Sequence, residues 1–408
     1  MHTLLRFTLA AAIATSVLAC RDDLAPTGIQ PPPQASKDFV VVPITIDWNQ
    51  FVEITAGDNF TCARRLSGIV LCWGENTLGQ TGRIGSRGDC YGLRTPICTP
   101  TPSVVSNPQG GWLLASKVDA GGSHACVVDF NKAPWCWGAG GAGQLGINPA
   151  WVTSALPTMV AGPITVNTIS AGTNSTCAQL TNGDISCWGL INFAATPVKF
   201  TNSPGTIRSL AVGALHACFI PFQQMSVTCF GEDRDGQGGH TPTTPPFVTT
   251  QSTLFGSYVA NVVTQDNTTC VNQFSGTVQC AGFNTAGMLG NGNASIGSST
   301  VPVDVGANGV AQALRAVTVG KEHACALDPN GAAFCWGNGK KGELGDGRNQ
   351  SSSVPVPVAG GHSFVGIAAG WHHTCAITSS EIWCWGDNFF SQLGMFSSPA
   401  PGSPTRAL

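Results

Sequence analysis

Seventeen cysteines and eight histidines are the residues whose types could do chemistry in this chain, and the cysteines are regularly spaced. Fourteen cysteines form seven pairs, with eight to ten residues between the two members of each pair. The pairs are Cys62 with Cys72, Cys126 with Cys136, Cys177 with Cys187, Cys218 with Cys229, Cys270 with Cys280, Cys325 with Cys335 and Cys375 with Cys384. Such cysteines can lie opposite each other across an antiparallel hairpin, at the Cα spacing that a disulfide accepts. We therefore predict seven disulfides, each worth roughly 2–3 kcal/mol.

Two other uses of the paired cysteines stay open from the spacing alone. Zinc sites usually place paired cysteines two to four residues apart, so the wider spacing disfavours a metal. Reduced core cysteines are expected if the chain remains in a cytosolic compartment. The compartment therefore decides whether the pairs are oxidised.

Four histidines share one position, two residues before the first cysteine of a pair: His124, His216, His323 and His373. In the other three pairs this position holds Phe60, Ser175 and Thr268, so the position tolerates residues that are not metal ligands. We expect these histidines to form structural hydrogen bonds between strands. The sequence contains no His-Glu-x-x-His, no Gly-x-Ser-x-Gly and no phosphate-binding loop, so we predict no catalytic residue, metal or cofactor.

The first residues have the character of an export signal. Residues 1–6 carry one arginine and one histidine, residues 7–19 are apolar or small, and Cys20 follows Val17-Leu18-Ala19. The apolar run is too short to span a bilayer in the mature protein. Its end resembles the bacterial lipobox, which implies a lipoprotein signal peptide over 1–19 and lipidation of Cys20. An ordinary cleaved signal is the alternative.

Residues 20–38 are polar and proline-rich, and we interpret them as a lipidated tether that reaches on the order of 50 Å. By the same resemblance, Arg21 after the lipidated cysteine favours the outer membrane, with the periplasmic or outward side left open. We expect contact with the membrane through the lipid anchor only. In an exported protein the cysteine pairs should oxidise.

The surroundings of the cysteine pairs repeat as well. Two residues after each second cysteine stands a glycine, and a tryptophan precedes this glycine in five copies: Trp73, Trp137, Trp188, Trp336 and Trp385. Most copies then carry a turn such as Gly143-Gln144-Leu145-Gly146 and a proline-led apolar run. Each copy holds about four short strands. We predict an all-β, seven-bladed β-propeller of four-stranded antiparallel blades over residues 39–408.

This order of motifs resembles the regulator of chromosome condensation repeat family, in its bacterial lipoprotein form. The family carries a glycine, His-Thr-Cys-Ala-Leu, Cys-Trp-Gly and Gly-Gln-Leu-Gly in this sequence, and the resemblance covers nearly the entire mature chain. It implies a propeller, and guanine nucleotide exchange on a small GTPase is the activity of the eukaryotic namesake. Either residues 42–46 or residues 403–408 could supply the last strand of the ring.

Function is expected in the segments that interrupt the repeat, because propeller strands are scaffold. The longest insertion, residues 81–101, carries Arg83, Arg87, Asp89 and Arg94, and Cys90 and Cys98 could close a loop within it. Only 19 basic and 22 acidic residues occur among 408, with a net charge of −3, which argues against a nucleic-acid partner.

We predict a surface-tethered, non-enzymatic propeller that binds an unidentified protein through loops on one face. Nucleotide exchange is an alternative, although an exported chain does not meet a cytoplasmic GTPase. A propeller lyase or hydrolase with a site in the central channel is the other alternative.

Overall fold

The structure is a computed structural model that describes residues 46–84, 88–89, 97–199, 205–239, 247–252, 255–295, 297–306, 313–396 and 402–407. The chain divides into Met1–Ile46, of which only Ile46 is described, and a compact unit, Asp47–Leu408. The described part of the second unit consists of short β-strands and one 3₁₀ turn, Thr285–Gly287.

The strands of the first three blades follow one another in chain order. The first blade contains β1 (Phe51–Ala56), β2 (Phe60–Arg65), β3 (Val70–Glu75), β4 (Gly88–Asp89) and β5 (Ile97–Val104). The second contains β6 (Ala115–Ala120), β7 (His124–Asp129), β8 (Pro134–Gly138) and β9 (Ser154–Met159). The third contains β10 (Val166–Ala171), β11 (Ser175–Leu180), β12 (Ile185–Gly189) and β13 (Ala194–Lys199).

The remaining four blades each contain four strands. The fourth has β14 (Ile207–Val212), β15 (His216–Pro221), β16 (Val227–Glu232) and β17 (Phe247–Ser252), and the fifth has β18 (Val259–Gln265), β19 (Thr268–Gln273), β20 (Val278–Phe283) and β21 (Ser298–Asp304). The sixth has β22 (Arg315–Val319), β23 (His323–Leu327), β24 (Ala333–Gly337) and β25 (Ser352–Pro357). The seventh has β26 (Gly366–Ala369), β27 (His373–Ile377), β28 (Ile382–Gly386) and β29 (Thr405–Arg406).

Each blade is an antiparallel sheet, and its strands pair in chain order except in the first blade, where β4 lies outside β5. The alternation of apolar residues and the tight hairpins explain this arrangement. At the hairpin tip of the third blade, Gly183 has a φ of +91°, which is strained for any residue with a side chain. The predicted all-β, seven-bladed propeller is confirmed.

The paired cysteines occupy directly opposed positions on the second and third strands of each blade, and each pair is joined by a disulfide. Their Cα atoms are 4.0–4.1 Å apart. The bonds join Cys62 to Cys72, Cys126 to Cys136, Cys177 to Cys187, Cys218 to Cys229, Cys270 to Cys280, Cys325 to Cys335 and Cys375 to Cys384. All fourteen cysteines are buried. The prediction of seven blade disulfides is therefore confirmed.

The second cysteine of several pairs also marks an irregularity in the sheet. The register between the third and fourth strands shifts directly after Cys136, Cys187 and Cys280, before the glycine that follows two residues later. A bulge of this kind bends the strand and increases its twist. On the disulfide side of the same strand the register with the second strand continues without a shift, for example from Cys177 with Cys187 to Ser175 with Gly189.

Buried tryptophans join neighbouring blades through their indole N–H groups. Each tryptophan that follows a second cysteine donates to a carbonyl in the Gly-x-Leu-Gly region of the preceding blade, at 2.8–2.9 Å. The donor and acceptor pairs are Trp73/Gln392, Trp137/Gln80, Trp188/Gln144, Trp336/Met288 and Trp385/Glu343. The glycine-rich turns thus bring backbone carbonyls to the next blade.

The ring closes where the seventh blade meets the first, and the two blades share no strand. The last strand of the seventh blade is Thr405–Arg406, which pairs with Trp383 and Cys384. The amide N of Phe51 donates to the carbonyl of Ser379 at 2.9 Å, so the first strand of the chain is bonded to the seventh blade. Of the two segments considered for closure, the C-terminal one supplies the strand, whereas residues 42–45 lie outside the described residues.

Candidate functional site at the junction of the first and seventh blades

The two faces of the propeller carry different loops. The turn face holds the turns between the first and second strands of each blade and the Gly-x-Leu-Gly turns. The hairpin face holds the hairpins between second and third strands, such as the one near Gly68. In the first blade the register of Ala56 with Thr61 and of Glu75 with Cys98 places both kinds of turn at the same end of the sheet.

The predicted insertion lies on the turn face. Its strand Gly88–Asp89 pairs with Ile97 and Cys98, and so adds an outer edge strand to the first blade. Arg83 is exposed, and its carbonyl accepts a hydrogen bond from Nδ2 of Asn76 at 3.1 Å. The edge strand shows that the insertion continues the sheet of the first blade.

The structure locates the other predicted insertion residues only in part. The side chain of Asp89 is not described, and Arg87, Arg94 and Cys90 lie outside the described residues. Cys98 is buried and disulfide-bonded. Because its predicted partner, Cys90, lies outside the described residues, the pairing of these two cysteines stays a prediction.

A loop of the seventh blade meets the start of β5, within the insertion. Oγ of Ser391 lies 3.9 Å from Sγ of Cys98. Ser391 has a φ of +59° at a place where other copies have glycine. The neighbouring Phe389 is 48% exposed and packs edge-on against Phe390, with ring centroids 4.9 Å apart. Sequence reasoning missed this loop, although the Phe389-Phe390 pair before an irregular turn marked it.

We call the exposed side chains around this contact the junction surface: Arg83, Ile84, Ile97, Phe389 and Phe396. Ile84 is 73% exposed and Phe396 is 64% exposed, so large apolar side chains contribute to this surface. The surface combines apolar and aromatic groups with at least one arginine. This composition is typical of protein-binding surfaces.

The central channel is a polar cavity of about 570 Å³, lined by the first strand of every blade. Glu53 accepts hydrogen bonds from Nε of Arg64 at 2.8 Å and from Nζ of Lys117 at 2.6 Å. Burial alone would raise the pKa of Glu53, but Lys117 and Arg64 together lower it. This carboxylate is a link between the first and second blades.

Asp119, the other acidic residue of the channel wall, has a similar linking position. It accepts hydrogen bonds from Oγ1 of Thr55 and from the amide N of Ala171, both at 3.0 Å. Burial raises the pKa of Asp119. Its two oxygens therefore bridge the first, second and third blades.

Side chains narrow the channel at the turn face. Oγ1 of Thr173 in the third blade donates to Asp266 of the fifth at 2.6 Å, and Nζ of Lys321 lies 3.6 Å from the same carboxylate. The Lys321 ammonium also lies 4.2 Å from the ring centroid of Trp371. Burial raises the pKa of the nearby Asp58, and the charge of Lys321 partly offsets this effect. Within the described residues, no group of three or more potential metal ligands occurs.

The four histidines before the first cysteines are buried and bond to the next blade. Each Nε2 lies 2.8–3.0 Å from a threonine Oγ1, in the pairs His124/Thr176, His216/Thr269, His323/Thr374 and His373/Thr61. Burial lowers their pKa values to about 3 or about 4, so all four are neutral at pH 7. The predicted structural role is confirmed, and the bonds join neighbouring blades.

The remaining described histidines pack against tryptophans. The His362 ring lies 4.0 Å from that of Trp383. The His372 ring stacks on Trp371, and its Nδ1 lies 3.3 Å from Oε1 of the buried Glu343. These contacts place both rings in aromatic packing.

Seven buried disulfides indicate an exported protein, because disulfides persist in oxidising compartments. Among the described residues, no helix has both the length and the hydrophobicity of a membrane span.

Comparison with known proteins agrees with the repeat pattern. Two family models, both described as regulator of chromosome condensation (RCC1) repeats, match residues 330–377 and residues 51–80, 314–343 and 364–392. The chain is 24% identical over 380 residues to the ultraviolet-B receptor UVR8 of Arabidopsis thaliana, which covers 89% of this chain and 83% of that protein. It is also 23% identical to the human E3 ubiquitin-protein ligase HERC2 over 87% of this chain, but only 6% of that protein.

Among solved structures, Prp20p of Saccharomyces cerevisiae has a similar fold. The TM-score is 0.69 with 18% identity, and the match covers 88% of both chains. Prp20p is described together with its binding to Gsp1p and histones. At this identity the likeness concerns the fold.

Proposed function

We propose that this chain, a member of the regulator of chromosome condensation repeat family, is a non-enzymatic propeller that binds a protein while tethered to the outer membrane through Cys20. The junction surface is the observation that carries the proposal. It lies where the sequence departs from its own repeat, and it exposes Phe389, Phe396 and Ile84 beside Arg83.

A protein partner suits this surface better than a small molecule. Aromatic and arginine side chains dominate the binding energy of protein interfaces, and they act best when the partner buries them. Phe389 and Phe396 are large exposed rings that gain free energy when a partner covers them. The relative Prp20p, which binds Gsp1p and histones, supports protein binding as the class of function.

The polar groups of the channel support a structural use better than an enzymatic one. Glu53 and Asp119 accept hydrogen bonds from neighbouring blades. A general acid or base must instead be able to exchange a proton with a substrate. A channel lyase or hydrolase is therefore less well supported than binding, and nucleotide exchange would require a GTPase outside the cytoplasm.

The tether part of the proposal depends on the sequence. The lipobox-like run that ends at Cys20 and the proline-rich residues 20–38 support it, and these residues lie outside the described part of the chain. The seven disulfides agree with export.

The test is capture of partners by the full-length protein, purified in detergent from membranes of its own cell. Arg83→Glu combined with Phe389→Ser should abolish saturable binding of a captured protein. The matched control is Arg234→Glu with Phe193→Ser, two exposed turn-face positions in other blades. Thermal unfolding of both variants checks that the fold is unchanged.

Equal binding by the two double variants would show that the junction surface is the wrong site. Accelerated nucleotide release from a small GTPase would instead favour the exchange alternative. Turnover of a small molecule that is lost with Glu53→Gln would favour an enzyme.

A further inference from the structure

The described chain enters the propeller on the hairpin face. The carbonyl of Trp48 accepts a hydrogen bond from the amide N of Ser67 at 3.0 Å, and the carbonyl of Gln50 accepts one from Leu66 at 2.8 Å. Leu66 and Ser67 belong to the hairpin between β2 and β3. Any tether that precedes Asp47 is therefore attached at this face, opposite the junction surface.

Among the described residues, six aromatic side chains are exposed on the loops of the hairpin face. They are Trp48 (58%), Trp112 (62%), Phe130 (59%), Phe222 (56%), Tyr258 (66%) and Phe274 (56%). Phe130, Phe222 and Phe274 share one position, four residues after the first cysteine of their blades. Exposed rings at one position in several blades give this face a recurrent apolar character.

Two of these rings hold an arginine between them. The guanidinium carbon of Arg208 lies 5.1 Å from the ring centroid of Phe222 and 5.2 Å from that of Phe274. Arg208 is exposed at the start of the first strand of the fourth blade. Rings that flank a guanidinium leave its edge available to donate hydrogen bonds to a phosphate.

We propose that the hairpin face rests on the bilayer that holds the Cys20 anchor, with its aromatic rings at the level of the lipid headgroups and Arg208 on lipid phosphate. This inference rests on the proposed lipidation of Cys20. Tryptophan and tyrosine favour the membrane interface, because one part of the ring is apolar and another is polar. The junction surface then faces away from the membrane, towards a partner.

The tether makes such docking possible with weak contacts. About 25 residues separate Cys20 from the first described residue, and a chain of this length reaches roughly 80 Å when extended. It therefore keeps the propeller near the surface at a high effective concentration. The net charge of −3 supplies no strong attraction to anionic lipid, so docking should persist at high salt.

The test is hydrogen exchange measured by mass spectrometry on the lipidated full-length protein, in phosphatidylethanolamine and phosphatidylglycerol vesicles and in detergent. Vesicles should slow exchange in segments 46–51, 110–114, 220–226 and 272–277, also in 1 M salt. Turn-face segments 148–153 and 388–396 should exchange alike in both conditions. Phe222→Ser with Phe274→Ser should lose the protection of residues 46–51, whereas Phe193→Ser with Phe389→Ser should keep it.

Equal exchange in vesicles and detergent, or protection of the turn face, would overturn the proposed orientation. Protection that appears only when another protein is added would assign the aromatic face to a protein partner. The mass of the N-terminal peptide reports lipidation separately. If Cys20 carries no lipid, the tether is wrong, and the docking face stands only if added vesicles still protect the hairpin segments.

Discussion

Nε2 of His373 lies 2.8 Å from Oγ1 of Thr61, so a buried hydrogen bond joins the last blade of the ring to the first. The same bond recurs at three other junctions, between the second and third, fourth and fifth, and sixth and seventh blades. In every case the histidine precedes the first cysteine of its blade by two residues, and the threonine precedes that of the next blade by one.

The three junctions without a histidine also lack the threonine. The residue pairs at these places are Phe60/Ala125, Ser175/Ala217 and Thr268/Ala324. Phe60 and Ala125 pack in one buried cluster, so an apolar pair replaces the hydrogen-bonded pair. The two positions therefore act as a unit, because without the threonine Nε2 of the histidine would be buried without a partner, as Nδ1 already is in all four histidines.

The first prediction concerns the His323/Thr374 pair. His323→Ala should lower the free energy of unfolding by about 2–4 kcal/mol, because it leaves a cavity and removes a buried hydrogen bond. His323→Phe with Thr374→Ala recreates the Phe60/Ala125 combination and should recover to within about 1 kcal/mol of the wild type. Urea denaturation of His323→Phe, of Thr374→Ala and of the double variant gives the coupling energy. Purely additive effects would contradict the pairing.

The second prediction concerns acid stability. Burial lowers the pKa to about 3 for His124 and His373 and to about 4 for His216 and His323, from 6.5 in the unfolded chain. Below pH 6.5 the unfolded state therefore binds more protons than the folded state, so stability should fall as pH falls from about 6.5 to about 4.

Urea denaturation across this pH range measures the effect. The variant His323→Phe with Thr374→Ala removes one of the four buried histidines, so its histidine-dependent slope should be about one quarter smaller. An unchanged slope would mean that these histidines do not determine the acid sensitivity. Chemical shifts of the imidazole protons provide an independent check of the low pKa values.

Much of the fold could be predicted from the sequence, because the signals are local. A cysteine pair across a short hairpin sets the register of two strands, and the glycine and tryptophan next to it mark the following turn. The His373/Thr61 pairing was harder to see, since the two residues belong to different copies. Its signal is a correlation between neighbouring copies that alignment of the cysteines alone does not reveal.

The candidate site was predictable only in part, for a physical reason. An insertion such as residues 81–101 can be recognised by its length, but its neighbour depends on how the ring closes. Ser391 and Cys98 meet because the seventh blade packs on the first. The proposed orientation of the hairpin face towards the membrane depends likewise on where the chain enters the propeller. The contact of Trp48 with Ser67 fixes this place, and the residue types alone do not indicate it.

The third prediction concerns the fourth blade. The tryptophan that donates to the preceding blade is replaced by Phe230 in the fourth blade and by Ala281 in the fifth. Neither side chain has an N–H group, so both junctions of the fourth blade lack an indole hydrogen bond. Native-state hydrogen exchange should show a lower opening free energy for Ile207–Val212 and His216–Pro221 than for strands of the sixth blade.

A variant can remove the indole hydrogen bond at another junction. Trp336→Phe removes the donor to the Met288 carbonyl at the junction of the fifth and sixth blades. The loss of one buried hydrogen bond should lower the opening free energy there by about 1–2 kcal/mol. If the fourth blade exchanges no faster than the sixth, the indole bonds do not determine the order of opening.

The fourth prediction concerns the disulfides. Cys325→Ala with Cys335→Ala removes one cross-link, which is buried and closes a separation of 10 residues in the sixth blade. The variant should lose roughly 2–3 kcal/mol of stability and retain the propeller fold, since six blade disulfides remain.

Because the sulfurs are buried, a reductant should reach them in the native protein mainly through local opening. Under native conditions, timed thiol alkylation with mass spectrometry should detect reduction of the fourth-blade pair, Cys218 and Cys229, before that of Cys325 and Cys335. Simultaneous reduction of all seven pairs would show that the blades open together, and this would contradict the weak junctions on either side of the fourth blade.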